Sequence, residues 1–140
     1  MQAATLLTSA LLLVVLDQFA KALVVRAFLN GRVVNFGLVA IRHKLNSAAF
    51  LGPLGNRAAL LSFIVVETVA LVIVVQYTAI FDERLAAIAL GAAIGGAASN
   101  AIDQIFRHGV VDFIDLGFWP IFNLADIAIV AGIVTALMCI

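Results

Sequence analysis

The sequence predicts an all-α membrane protein in which four transmembrane helices carry a small extramembrane β-like segment between the first and second helices. Three observations lead there. Of the 140 residues, 65% are hydrophobic and only 11% charged, whereas a soluble domain needs a charged shell and is usually about 25% charged. The mean hydropathy is +1.21, and stretches approaching the roughly 20 apolar residues that cross hydrocarbon recur along the chain. Eight Lys and Arg balance eight Asp and Glu. No basic excess exists to track phosphates, which argues against a nucleic-acid partner, and the apolar content excludes disorder.

Four helices of that length take up most of the chain, so residues 1–140 are expected to form a single domain with spans at about 3–25, 58–81, 85–102 and 122–140. The first span carries Asp17 and Lys21. No positive charge precedes it and no small-residue cleavage site follows, so it reads as a retained helix and not as a cleaved signal peptide. The second span is broken only by Glu67, the third has no charge between Leu85 and Ile102, and the fourth holds Asp126 in its first turns. Gly91 and Gly95 form a GxxxG pattern, with Gly96 next to it, which is expected to serve close helix packing.

The connections differ in kind. From Arg26 to Arg57 the chain is too polar to span, and Val, Phe, Leu and Ile recur between Gly, Asn and Arg, as in a short β-structure. Asp82, Glu83 and Arg84 alone join the second and third spans, a tight helical hairpin. The stretch from Phe106 to Phe122, with Trp119 and Pro120, has the aromatic content of a segment lying at the membrane interface. Arg26, Arg32, Arg42, Lys44, Arg57 and Arg107 fall in the first and third connections, against Arg84 alone in the second. The positive-inside rule would therefore put the first connection in the cytoplasm. The single cysteine, Cys139, reads as a packing residue. His43 and His108 have no second ligand at metal spacing, so no metal and no cofactor are expected.

Ionised groups in hydrocarbon are costly, and such residues are functional candidates by default. Asp17 and Lys21, four apart, can pair on one helix face. Asn100 and Asp103 are three apart, as are Asn123 and Asp126, so each amide can orient the carboxylate on its own face. Asp112 and Asp115 follow in "GVVDFIDLGF". Two carboxylates held close together cannot both ionise easily and share a proton. Such a pair supplies a base for water and an acid for a leaving nitrogen without metal or nucleophilic side chain. Spacing lets Asp126 pair with either Asp103 or Asp112. A proton- or ion-coupled small transporter would use the same kinds of residue and would depend on Glu67 and Asp17.

The ordered blocks "DQFAK" (17–21), "NSAAF" (46–50), "GGAASNAID" (95–103), "GVVDFID" (109–115) and "FNLAD" (122–126) resemble lipoprotein signal peptidase, the type II signal peptidase of bacteria. The resemblance implies a multi-pass aspartic endopeptidase of the bacterial cytoplasmic (inner) membrane. Such an enzyme cleaves prolipoproteins before their diacylglyceryl-modified cysteine, contacts membrane lipid, and is inhibited by cyclic peptide antibiotics. By the family's motifs the catalytic pair falls on Asp112 and Asp126. Asn123 would position the pair or the peptide, Asn46, Asn100 and Asp103 would line or support the site, and Asp17 and Lys21 would support it structurally. The family's topology turns the first and third connections outward, against the charge count, and makes the β-like segment a periplasmic cradle whose Arg32, Arg42 and Lys44 face lipid headgroups. Several positions depart from the family pattern: Ala20, Ala48, Ser99 before Asn100, Gln104 in place of an arginine, and a short stretch from Asp112 to Asp126. Arg107, one helical turn beyond Asp103, stands where it can supply the missing charge. A divergent active enzyme is expected, with a non-catalytic paralogue that binds lipoproteins or inhibitor as the alternative.

Overall fold

Between Gln2 and Phe28 the chain holds no glycine or proline, and its Leu, Ala and Val content favours a long helix, α1 (Gln2–Phe28), in the computed structural model, which describes residues 2–47 and 83–138. After α1 the chain turns at Gly31, whose φ of 74° lets its N–H reach the Phe28 carbonyl at 3.1 Å. Strand β1 (Val33–Phe36) then pairs antiparallel with β2 (Val39–Asn46) across the two-residue loop Gly37-Leu38. Gly37 at φ 77° occupies the first central position, where a type II′ hairpin turn requires positive φ. The remaining elements are α2 (Glu83–Arg107), β3 (Val110–Asp115) and α3 (Leu124–Met138).

The sheet has the order β1-β2-β3, all antiparallel. It therefore extends beyond the first connection. The stretch expected to lie at the interface supplies β3, whose β-branched and aromatic residues Val110, Val111, Phe113 and Ile114 favour a strand. Ala40 pairs with Asp115 and Ile41 with Ile114; after a bulge, Lys44 pairs with Asp112 and Asn46 with Val110. Beyond β3, Phe122 returns to bridge Ile114, with its N–H on the Ile114 carbonyl at 3.1 Å, and so closes the loop that precedes α3.

Helix α2 lies between α1 and α3 and buries a stripe of small residues, Ala86, Ala87, Ala89, Ala93 and Ala97. On one side, a side chain at Gly95 would collide with the backbone of Ala10; on the other, one at Gly96 would collide with the Ala125 carbonyl. The GxxxG expectation is thus met by backbone-to-backbone approach, the means by which helices associate when lipid offers no hydrophobic drive. The outward faces carry exposed Leu7, Leu11, Leu12, Phe19, Val130 and Val134, as a lipid-facing surface does. Among the described residues two helices, Gln2–Phe28 and Arg84–Arg107, are long and apolar enough to cross a membrane, and Leu124–Ala136 is a shorter apolar helix. The expected second span with Glu67, the start of the 82–84 hairpin, Ala48 and Cys139 lie outside the described residues. The helices outrun their predicted limits: α1 continues to Phe28, and α2 continues through Asp103 to Arg107, whereas α3 starts at Leu124, after Asn123.

Substituting Gly95→Val is expected to separate α1 from α2 and to destabilise the protein by about 2 kcal/mol or more, the scale of an overpacked interior. Thermal unfolding in detergent micelles measures it.

Candidate functional site

Lys21 is completely buried in α1, and an ammonium there needs an acceptor for each of its three N–H groups. It has them. The Nζ lies 2.6 Å from Asp17 Oδ2 on its own helix, 2.9 Å from Asp103 Oδ2 and 2.8 Å from Asn100 Oδ1, the last two on α2. Asp17 in turn accepts the Ser99 hydroxyl at 2.6 Å and, through Oδ1, the backbone N–H of Ala125 in the first turn of α3 at 3.0 Å. One acidic side chain of α1 thereby satisfies an orphan donor of another helix's N-terminus, where the macrodipole favours an anion. The i,i+4 pairing read from the sequence is present, and it joins α1, α2 and α3.

Asp103 is also fully buried and saturated. Besides Lys21 it accepts the Val111 N–H at 3.1 Å, the Gln18 amide at 3.0 Å, and an ion pair from Arg107, whose guanidinium also reaches Gln18 Oε1 at 2.9 Å. Arg107, one turn along α2, thus gives Asp103 a second cation. Gln18 was not singled out from the sequence, and Ser99 was noted only as a departure from the family pattern; Gln18 adjoins Asp17 and Ser99 adjoins Asn100. Asn100 does not orient Asp103. Its Oδ1 is held by Lys21, so its Nδ2 turns the other way and donates to Asp126 Oδ1 at 2.9 Å. Asp103 cannot pair with Asp126, because its oxygens are taken up by Lys21, Arg107, Gln18 and a strand amide.

Asn123 and Asp126 likewise do not share a helix face. Asn123 precedes α3 as its N-cap: its Oδ1 accepts the Asp126 N–H at 2.9 Å, while its own N–H donates to Asp126 Oδ2 at 3.1 Å. This reciprocal pair is a capping box, which has the same three-residue spacing as a helix-face pair. Capping leaves the Asn123 amide nitrogen free, and it donates to Asp112 Oδ1 at 2.8 Å and to Asn100 Oδ1 at 3.1 Å. Asp112 projects from β3, 3% exposed, and its Oδ2 accepts Asn46 Nδ2 from β2 at 3.1 Å. Asp112 and Asp126 thus meet on one residue, Asn123. Asp115, three residues on, turns outward to an ion pair with Arg42 at 2.5 Å.

Burial pushes the Asp112 carboxyl up to about 6; the Asn46 amide pulls the other way, and the nearby Asp126 charge adds to the rise. Every oxygen and nitrogen of this network has a partner, and among the described residues no buried side-chain polar atom is left unsatisfied. The arrangement offers two adjacent carboxyls, one of them poised to hold a proton near neutral pH, with fixed amide donors around them. It suits water activation and proton donation. His43 and His108 take no part in any cluster of three metal-ligating side chains among the described residues.

A family model described as signal peptidase (SPase) II matches residues 9–140. The chain is similar to the lipoprotein signal peptidase of Syntrophomonas wolfei, 39% identical over 126 residues, covering 89% of this chain and 84% of that one. It is similar to that of Shouchella clausii, 38% identical over 128 residues with the same coverage, and to that of Cupriavidus necator, 38% identical over 136 residues, covering 89% and 76%. Among solved structures, a bacterial membrane enzyme determined by the in meso method at 1.9 Å resolution has the same fold, with a TM-score of 0.83 over 96% of this chain and 91% of that one at 23% identity.

Removing the ammonium alone, Lys21→Met, leaves Asp17 and Asp103 buried with one cation fewer and is expected to cost about 3–5 kcal/mol of unfolding free energy. Lys21→Met combined with Asp17→Asn is expected to recover part of that loss, since Asp103 keeps Arg107. Denaturant or thermal unfolding of the three proteins provides the comparison.

Proposed function

The chain belongs to the signal peptidase II family, the membrane aspartic peptidases that remove the signal peptides of lipoproteins, and on that premise we propose that Asp112 and Asp126 are its catalytic pair. The observation that carries this is the double use of Asn123, which caps the helix that presents Asp126 and donates its side-chain amide to Asp112. Asp126 sits in the first turn of α3 with both oxygens accepting N–H groups, and it takes the role of base. Asp112, raised by burial, holds the shared proton and acts as acid. The pair titrates as a unit.

In the reaction Asp126 takes a proton from water as the oxygen attacks the scissile carbonyl carbon. Asp112 delivers its proton to the departing amide nitrogen, and the C–N bond breaks. The pair ends with one proton, now on Asp126, and resets by passing it to Asp112. Asn46 and Asn100 position the two carboxyls, Asp103 acts through Lys21 and Arg107, and Asp17 and Lys21 hold the helices that carry them. The bond cut is the one before the diacylglyceryl-modified cysteine of a prolipoprotein, whose lipid tails lie along the exposed apolar helix faces.

Four spans in one domain, with the first and third connections on the outer side of the inner membrane, bring the site to a substrate already anchored in the bilayer. A cyclic peptide antibiotic acts at the same carboxyl pair. Transport is not favoured: Asp17, which a carrier would need free to titrate, is locked by Lys21, Ser99 and the Ala125 N–H.

Asp112→Asn and Asp126→Asn are each expected to lower cleavage of a lipidated prolipoprotein by a factor of about 100 or more, the usual worth of a positioned acid or base; full activity in either variant would overturn the assignment. The kcat/KM profile of the wild-type protein is expected to fall on the alkaline side with a midpoint near 6, as the shared proton is lost. Asn46→Ala removes a donor that favours ionised Asp112, so its midpoint moves to higher pH.

A further inference from the structure

The register of the sheet puts one cation beside the carboxyl pair. Ile41 on β2 stands opposite Ile114 on β3, and two residues back along β3 lies Asp112. A regular ladder would set His43 against it. The bulge between Ile41 and Lys44 adds one residue to β2, so Lys44 takes that place instead. Residues directly opposed in an antiparallel pair project from the same face, with Cβ atoms about 4.5–5.5 Å apart. Asn46, two residues beyond Lys44 and so on the same face, reaches Asp112 Oδ2 at 3.1 Å. Lys44, Asn46 and Asp112 therefore share one face of the sheet.

The neighbouring arginines do not join them. Arg42 pairs at 2.5 Å with Asp115, which lies an odd number of residues from Asp112 and hence on the opposite face. Arg32 precedes β1. Lys44 is exposed, and among the described residues it has neither a hydrogen bond nor an ion pair. Asp112 opposite it is almost fully buried, with its oxygens taken by Asn46 and Asn123. The ammonium thus stands at the rim of the site, with three N–H donors for whatever is laid across Asp112.

We propose that Lys44 is a specificity-determining residue that receives a carboxylate of the substrate, from an Asp or Glu among the first two residues after the modified cysteine. The proposal rests on the signal peptidase II reading above. Chemistry decides the side of the cut: a signal peptide brings an apolar stretch and then small residues up to its cleavage site, so an acidic group close to the bond comes from the mature side. The distance fits as well. The residue after the cysteine is two positions from the one whose carbonyl is attacked, roughly 7 Å along an extended peptide. Lysine carries its charge on a flexible four-carbon stem and covers that range from a Cβ beside that of Asp112. Because the pair is exposed, it tunes the choice among substrates and does not decide whether cleavage occurs.

The wild-type protein, Lys44→Gln and Lys44→Glu are each assayed in phosphatidylcholine vesicles on diacylglyceryl peptides that differ only in the two residues after the cysteine, which are both Asp, both Asn or both Lys. For the wild type the expected order of kcat/KM is Asp over Asn over Lys, about two- to fivefold per step, the worth of an exposed ion pair. The steps narrow as salt is raised. Lys44→Gln is expected to bring the three rates together and Lys44→Glu to reverse their order. Rates are compared within each protein, so a general loss of activity in a variant leaves the comparison intact. Equal wild-type rates on the three peptides overturn the proposal, as does an order that survives in Lys44→Glu. A Lys44 effect that needs added phosphatidylglycerol and is the same for all three peptides also overturns it, by placing the ammonium on headgroup phosphate. Wild-type protein that cleaves none of the peptides would overturn the peptidase reading itself, and the proposal with it.

Discussion

The structure depends on one buried cation. The Lys21 ammonium has three hydrogens and exactly as many acceptors around it, two carboxylates and one amide oxygen, drawn from two helices. In hydrocarbon an ammonium with an unused hydrogen, or a carboxylate without its partner, would cost several kcal/mol, so neither helix can slide or rotate without exposing one. Through Asp17 the same cluster reaches the N-terminus of α3. With Arg107 counted, two acids and two bases close on themselves. The small-residue stripe of α2 permits the close approach; the polar cluster selects one register within it.

What the cluster passes on to the site is orientation. An asparagine side chain can present either its oxygen or its nitrogen, and at position 100 the choice is made by Lys21, which takes the oxygen. The nitrogen must then face Asp126. At position 123 the choice is made by helix capping, which takes the oxygen for the Asp126 N–H and sends the nitrogen to Asp112. Two amides set by neighbours of known charge thus hold two carboxyls in place before any substrate arrives. Asn46 adds the contribution of the sheet, which is why a β-hairpin between two membrane helices belongs to the same device.

Much of this was legible in the sequence, and the limits are physical. Long apolar stretches announce helices because length and composition suffice, and Asp17 with Lys21 announces a pair because four residues make one turn. Arg107 was legible for the same reason. Spacing of three misled twice. At Asn123 it is shared by a helix face and a capping box, and only the point at which the helix begins decides between them. At Asn100 the partner lies 26 residues away, beyond what periodicity reaches. Strand β3 was hidden by its setting, six residues among aromatics before an apolar stretch, because its acids are three apart and it shows no two-residue alternation. Asp112 could be chosen over Asp103 from family motifs alone; in the structure Asp103 is tied to Lys21 and Arg107, whereas Asp112 and Asp126 share Asn123.

The central claim is that Asp112 and Asp126 form one coupled titrating pair within this frame. Infrared difference spectroscopy of the carboxyl stretch, recorded against pH in micelles for the wild-type protein and for Asp126→Asn, tests it directly. The account predicts a protonated carboxyl in the wild type with a midpoint near 6, moving to lower pH in the variant because the facing negative charge is gone. A midpoint that stays where it was would show that the two carboxyls titrate independently and would contradict the account.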